Sequence, residues 1–261
     1  MTKSIFITGA GSGLGKGTAI GLARAGHHVI ASVEIISQVT SLREAAEAAG
    51  VDLEVLKLDI NSQRDRELIS HYDFDIFVAN AAIGEGGPIS EIPVERLKRI
   101  FETNVFSTLE TAQLAAQKFV KKRKGKIVFI SSIAGLTVSP YLGPYCSSKH
   151  ALEGIAQAMY QELQPLGVQV ATINPGPFKT GFNDRMMEEA WKWYDPDVNF
   201  TPREEFEKGV KVFEKQFDPQ EMIDKMVEII PAENHTFRTV YPEASEEQST
   251  TYEKEIWNKT I

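Results

Sequence analysis

The stretch Ile5-Phe6-Ile7-Thr8-Gly9-Ala10-Gly11-Ser12-Gly13-Leu14-Gly15 decides how this chain folds. It begins as a short apolar run, passes through a turn carrying Gly9, Gly11 and Gly13, and leads past Gly15 into a run of helix formers. A strand that turns tightly into a helix needs backbone conformations that residues with a Cβ resist, and a ligand lying against that backbone needs a surface free of Cβ atoms. A helix starting near Gly13 would present unpaired N–H groups and the positive end of its dipole, which suits a pyrophosphate. The same glycines can also serve packing alone, so the nucleotide reading needs support from elsewhere in the chain.

Working outward, short apolar runs rich in β-branched residues recur at 3–8, 28–33, 52–58, 75–79, 126–131, 168–173 and, more weakly, 237–241. Between them lie segments of helical spacing. Leu14, Thr18 and Leu22 share a face, and longer stretches run from Val94 to Lys122 and from Ser147 to Leu163. This alternation predicts an α/β fold, a parallel sheet of about seven strands with helices on both faces. No repeat, low-complexity tract or linker divides the 261 residues, and one domain over 1–261 is expected. From 181 to 216 the alternation breaks, and Phe182, Trp191, Trp193, Tyr194, Phe200, Phe206 and Phe213 stand among many charges. An insertion of this length is expected to be a lid or substrate wall; an auxiliary core or an oligomer contact is the alternative.

Composition narrows the function. A net charge of -8 gives no basic footprint for nucleic acid. The single cysteine, Cys146, excludes an internal disulfide framework and fits a reducing, cytoplasmic setting. No stretch approaches the roughly 18 apolar residues of a membrane span. His27, His28, His71, His150 and His235 form no pair with metal-ligand spacing, so no metal site is expected.

A second constellation, Tyr145-Cys146-Ser147-Ser148-Lys149, lies downstream of Ser132. Positions i and i+4 of a helix share a face, so Tyr145 and Lys149 can point at one bound group. An ammonium nearby stabilises a phenolate, and the spacing therefore predicts a Tyr145 pKa lowered toward working pH and a general acid/base. Ser132 ends the run 126–131, where open parallel sheets bind ligands. Cys146, beside Tyr145, is read as helix packing rather than as a nucleophile.

Together these residues resemble the short-chain dehydrogenases/reductases. Thr8, Gly9, Gly13 and Gly15 match that family's TGxxxGxG turn, with Leu14 inside it. Asn80-Ala81-Ala82 is similar to its NAG, Asn104 stands where its catalytic Asn is expected, and Ser132, Tyr145 and Lys149 match its Ser and YxxxK. Pro175, Gly176 and Thr180 resemble its PG motif and following Thr. Ala82 and Ser107 depart from it where glycine is usual. The resemblance implies a Rossmann-type doubly wound sheet, a nicotinamide cofactor and assembly as a homodimer or homotetramer through the segments 94–122 and 147–163. It also implies roles: Tyr145 exchanges a proton with the substrate oxygen, Ser132 hydrogen-bonds that oxygen, Lys149 holds the nicotinamide ribose, and Asn104 positions a water leading from Lys149 to solvent.

Glu34, at the end of the second strand, can accept hydrogen bonds from an adenine-ribose 2′-OH and repel a 2′-phosphate. NAD is therefore expected over NADP, unless Glu34 points to solvent and selects nothing. Asp59 resembles the family's adenine-contacting Asp, or is an ordinary turn residue. The expected activity is an alcohol–ketone (or aldehyde) oxidoreductase on a small, mostly apolar molecule. A dinucleotide-binding sensor or scaffold without turnover is the alternative, and dehydration or epimerisation on the same scaffold a third.

Overall fold

The computed structural model describes residues 1–211 and 215–260. Phe213, one of the aromatics of the insertion, lies outside the described residues. One sheet holds seven strands, β1 (Ser4–Ile7), β2 (His28–Val33), β3 (Glu54–Lys57), β4 (Ile76–Ala79), β5 (Gly125–Ile130), β6 (Val168–Pro175) and β7 (Arg238–Tyr241). The helices are α1 (Gly13–Arg24), α2 (Ile36–Ala48), α3 (Gln63–Glu67), α4 (Val94–Phe101), α5 (Thr108–Lys122), α6 (Gly143–Leu163), α7 (Phe182–Trp191), α8 (Arg203–Val210), α9 (Pro219–Ile229) and α10 (Glu243–Trp257). Every neighbouring strand pair is parallel, in the order β3-β2-β1-β4-β5-β6-β7. The winding reverses between β1 and β4, whose register sets Ile5 beside Ile76 and Ile7 beside Val78. Crevices that take ligands open at such a reversal, beyond the strands' carboxyl ends.

Successive strand side chains enter opposite layers. Ile5, Ile7, Val29, Ala31 and Val78 pack with Ala19 and Leu22 of α1 and Met222 and Met226 of α9. Phe6, Ile30, Phe77, Ile127 and Phe129 pack with Ala112, Ala115 and Phe119 of α5 and Leu152, Ala156 and Met159 of α6. With both faces covered, polar alternation has no place in these strands. The α1–α9 contact depends on two glycines. A Cβ at Gly17 would lie 2.2 Å from Ile223 Cδ1, and one at Gly21 2.6 Å from Val227 Cγ2.

Two helix bounds are adjusted, and the insertion takes on a definite structure. The helix read from Val94 to Lys122 is interrupted by a π turn over Glu102–Ser107, where Thr108 Oγ1 donates to the Thr103 carbonyl five residues back (2.9 Å). The helix read from Ser147 begins earlier, at Gly143, with Pro144 in its first turn, where the missing N–H costs nothing. The insertion folds as α7 and α8, and most of its aromatics serve a small core of their own. Trp191 and Phe206 rings lie 4.5 Å apart, Tyr194 and Phe206 5.3 Å, while Phe200 is exposed. Of the described aromatics in that segment, Phe182 alone reaches the cleft described below.

Lys126 of β5 is buried, and its ammonium donates to the carbonyls of Ile229, Ile230 and Ala232 (3.1, 2.9 and 2.9 Å). It closes the carboxyl end of α9, whose last carbonyls have no partner within the helix. Burial, with Lys3 nearby, lowers its pKa to about 8. Lys126→Met is expected to leave those carbonyls unpaired and cost about 2–3 kcal/mol of stability, read from urea denaturation midpoints.

Candidate active site

Thr8 and Asn80 build the floor of the crevice. The buried Thr8 Oγ1 accepts from the N–H groups of Asn80 (3.0 Å) and Ala81 (3.1 Å). The Asn80 amide donates back to the carbonyls of Thr8 (2.9 Å) and Gly9 (3.0 Å). Gly9 sits at φ +68°, and a Cβ there would lie 2.6 Å from Ala81 Cα. Gly15 has as little room, since its Cβ would lie 2.4 Å from Asn80 Nδ2 and 2.5 Å from the Gly9 carbonyl oxygen.

One cleft runs from this turn across the sheet edge. Gly9, Gly13, Leu14, Gly15, Glu34, Asp59, Asn80, Pro175, Gly176 and Thr180 all line it, and so do Ser132, Tyr145 and Lys149. Thr8 and Asn104 do not line it. Thr8 works beneath the turn. Asn104, buried in the π turn, clamps the peptide of Ile83 from both sides: its Oδ1 accepts the Ile83 N–H and its Nδ2 donates to the Ile83 carbonyl, each at 2.9 Å. Its second amide proton goes to Ser148 Oγ (3.1 Å).

The cleft fits a dinucleotide. Ser12, preceding α1, makes no side-chain cap, so the first N–H groups of that helix remain available to an anion beside Gly13. Ser131 Oγ is buried on the cleft wall without a partner. At the far end the lining is Gly11, Ser12, Glu34, Gln38, Leu58, Asp59, Ile60 and Asn61, two carboxylates and no cation. Gln38 Oε1 accepts from the N–H groups of Glu34 (3.1 Å) and Ile35 (3.3 Å), and its amide fills the space a Cβ on Gly11 would need. Asp59 Oδ1 accepts from Asn61 N (2.9 Å), so the turn role and the place in the cleft coexist.

At the other end, Lys149 Nζ donates to the Ile130 carbonyl (2.9 Å) and lies 5.7 Å from the centre of the Tyr145 ring. Phe182, first residue of α7, packs on that ring at 5.6 Å. The Ser132 hydroxyl accepts from Ala134 N (3.1 Å) and reaches the Pro175 carbonyl at 3.4 Å. The expected lowering of Tyr145 is corrected here. Burial pushes its phenol above the ordinary tyrosine value, and the opposing effect comes from the Ser132 hydroxyl rather than from Lys149. Burial also pulls Lys149 down to about 8, against the attraction of Glu153. Cys146 is buried beside them, its thiol raised by burial. Gln38, Ser131 and Arg185 line the cleft without having been singled out from the sequence. Gln38 follows no Ser, Thr, Asp or Asn cap, so the usual capping pattern that would have flagged it is missing.

A model of the family described as short chain dehydrogenase matches residues 3–191. The chain is 32% identical over 260 residues to the uncharacterized oxidoreductase YusZ of Bacillus subtilis, covering 93% of this chain and 89% of that protein. It is 35% identical over 204 residues to an (S)-acetoin-forming diacetyl reductase of Staphylococcus epidermidis, covering 75% of this chain and 79% of the relative. A short chain dehydrogenase/reductase of Burkholderia phymatum, solved in complex with NAD, superposes with a TM-score of 0.82 at 19% identity over 100% of this chain and 96% of that one.

The crowding at Gly15 predicts a binding defect. Gly15→Ala is expected to push the Asn80 amide off the Gly9 carbonyl and weaken dinucleotide binding by about tenfold or more, the worth of one such hydrogen bond, in a tryptophan-fluorescence titration.

Proposed function

This chain belongs to the short-chain dehydrogenases, and from that premise we propose that it interconverts a secondary alcohol and a ketone or aldehyde on a mostly apolar substrate, with NAD(H) preferred over NADP(H). The observation that carries the reading is the meeting of Ser132, Tyr145 and Lys149 in the cleft that also holds the glycine turn. When bound, the nicotinamide ring supplies or accepts the hydride. Tyr145, protonated at neutral pH, passes its phenolic proton to the carbonyl oxygen during reduction. Ser132 donates a hydrogen bond to the same oxygen as charge develops there. Lys149 holds the nicotinamide ribose, and its ammonium stabilises the phenolate left behind. Asn104, its side chain held by the Ile83 peptide and Ser148, fixes the backbone through which a solvent-linked water would return the proton.

The carboxylates of Glu34 and Asp59 at the ribose end support NAD, because a 2′-phosphate there would meet like charge and no cation among the described lining residues of that end. Ala82, Ile83 and Phe182 beside Tyr145 support an apolar substrate, and the diacetyl reductase supports a ketone. The helices α7 and α8 are read as the lid over this end, with Phe182 as its contact. A homodimer or homotetramer through α4, α5 and α6 belongs to the same proposal, supported by the exposed Phe106 in the π turn. So does a reducing, cytoplasmic setting, supported by the free, buried Cys146. Among the described residues no helix is long and apolar enough to cross a membrane.

A nicotinamide-absorbance assay against a panel of ketones and secondary alcohols tests the reading. Tyr145→Phe is expected to keep cofactor affinity and lose turnover by about 100-fold or more, the usual worth of a general acid. Cofactor binding with no turnover by the wild type on any substrate would return the sensor reading. In the reducing direction kcat/KM should fall as pH rises through about 8, because Tyr145 stays protonated there while Lys149 loses its charge. Glu34→Arg should move the NAD/NADP preference toward NADP by about tenfold or more, as removal of a repelling charge and gain of a partner require. An unchanged ratio would make Glu34 a bystander.

A further inference from the structure

Beneath the catalytic pair lies a carboxylate that its chemistry alone does not call for. Glu153 stands one helical turn beyond Lys149 on α6 and is buried. Its Oε1 accepts from Asn174 Nδ2 of β6 at 2.7 Å, and its Oε2 accepts from Arg238 Nη2 of β7 at 2.6 Å. The other Asn174 amide proton goes to the Ser132 carbonyl (3.0 Å), and Thr172 Oγ1 donates to Asn174 Oδ1 (3.0 Å), which fixes the orientation of that amide. Gly135, in the turn after Ser132, passes so close that a Cβ on it would lie 3.0 Å from Glu153 Cγ. A chain of short contacts therefore leads from Arg238 at the sheet edge through Glu153 and Asn174 to the backbone of Ser132.

We propose that Glu153 is a positioning residue for the reaction, holding Ser132 in place through Asn174 and keeping Lys149 charged from one turn away. The inference rests on the functional reading above. An ionised carboxylate out of water is costly unless its lone pairs are met, and Asn174 and Arg238 meet one lone pair on each oxygen. What remains of its field acts on Lys149, whose one hydrogen-bond partner among the described residues is the Ile130 carbonyl. The charged and titratable groups facing the pair are Tyr145, with Cys146 beside it, on α6 and Arg238 on β7. From β5 comes the Ile130 carbonyl and from β6 the Asn174 amide, both neutral. Arg238 pairs with Oε2 of Glu153 and keeps that carboxylate ionised, so the charge acting on Lys149 is removed most directly at Glu153 itself.

Removing the charge, and separately moving it, is the test. Glu153→Gln keeps the size of the side chain and can still accept from Asn174; it is expected to lower the Lys149 titration midpoint, read from the ¹³Cε shift of ¹³C-lysine-labelled protein assigned with Lys149→Arg, by about half a pH unit or more. The alkaline limb of kcat/KM for ketone reduction should move down with it, kcat should drop, and the cofactor Kd measured at about pH 6, where Lys149 stays charged in both proteins, should stay within about twofold. Glu153→Asp keeps the charge but draws it back from Asn174, so it should lower kcat while holding the Lys149 midpoint, and it carries the test if Glu153→Gln fails to fold. An unmoved midpoint in folded Glu153→Gln, or an unmoved kcat in Glu153→Asp, overturns the proposal. The lysine titration needs no substrate, so a wild type inactive on every ketone would count against the functional reading and leave this inference to be judged by the midpoints alone.

Discussion

The Thr8 hydroxyl takes two backbone N–H groups from the end of β4, and the Asn80 amide returns two hydrogen bonds to the end of β1. These four contacts cross the one place where neighbouring strands wind away from each other, and they set the separation of the two chain ends at the crevice. Gly9 and Gly15 are glycine because this stitching leaves no space for a Cβ at either. The start of α1, with its uncapped N–H groups, is thereby aimed into the cleft. Glu34, Asp59, Ser132, Pro175 and Gly176 stand at or just past strand ends whose positions follow from the sheet register, while Tyr145 and Lys149 are brought in by α6.

Much of this was legible from spacing. The strand runs were found to within a few residues because a doubly covered parallel sheet writes itself as uninterrupted apolar segments, and the Tyr145–Lys149 interval reports a shared helix face whatever surrounds it. What escaped were contacts between residues far apart in the chain. Glu153, Asn174 and Arg238 each look unremarkable alone, and their meeting depends on β6, β7 and α6 being placed together. Lys126 reads as a polar start to a strand, and its three carbonyl partners lie more than a hundred residues away. The π turn at Glu102–Ser107 escaped for a different reason: Thr103, Asn104, Val105 and Ser107 are indifferent helix formers that sit in an ordinary turn or a wide one, and the Thr108–Thr103 bond that accompanies the widening is visible only in the folded chain.

The aromatics of 181–211 take on two tasks that composition does not separate. Trp191, Tyr194 and Phe206 gather into one cluster because two short helices with little other apolar surface need a core. Phe182 escapes this because it opens α7 directly after Gly181, whose positive φ turns the chain back over Tyr145. Burial by that ring helps explain why desolvation, rather than the neighbouring ammonium, governs the phenol.

The contact between α1 and α9 bears on how the molecule is made. Gly17 and Gly21 leave a shallow face on the first helix that fits Ile223 and Val227, residues near the far end of the chain. A ribosome has therefore translated most of the message before the earliest strand–helix unit can bury its outer layer. Until then that unit lacks Met222 and Met226 from its core, and contacts of such long sequence separation are slow to form. Burial of the outer face of α1 is in this sense a late event, timed by the carboxyl-terminal third of the polypeptide although that helix itself emerges first.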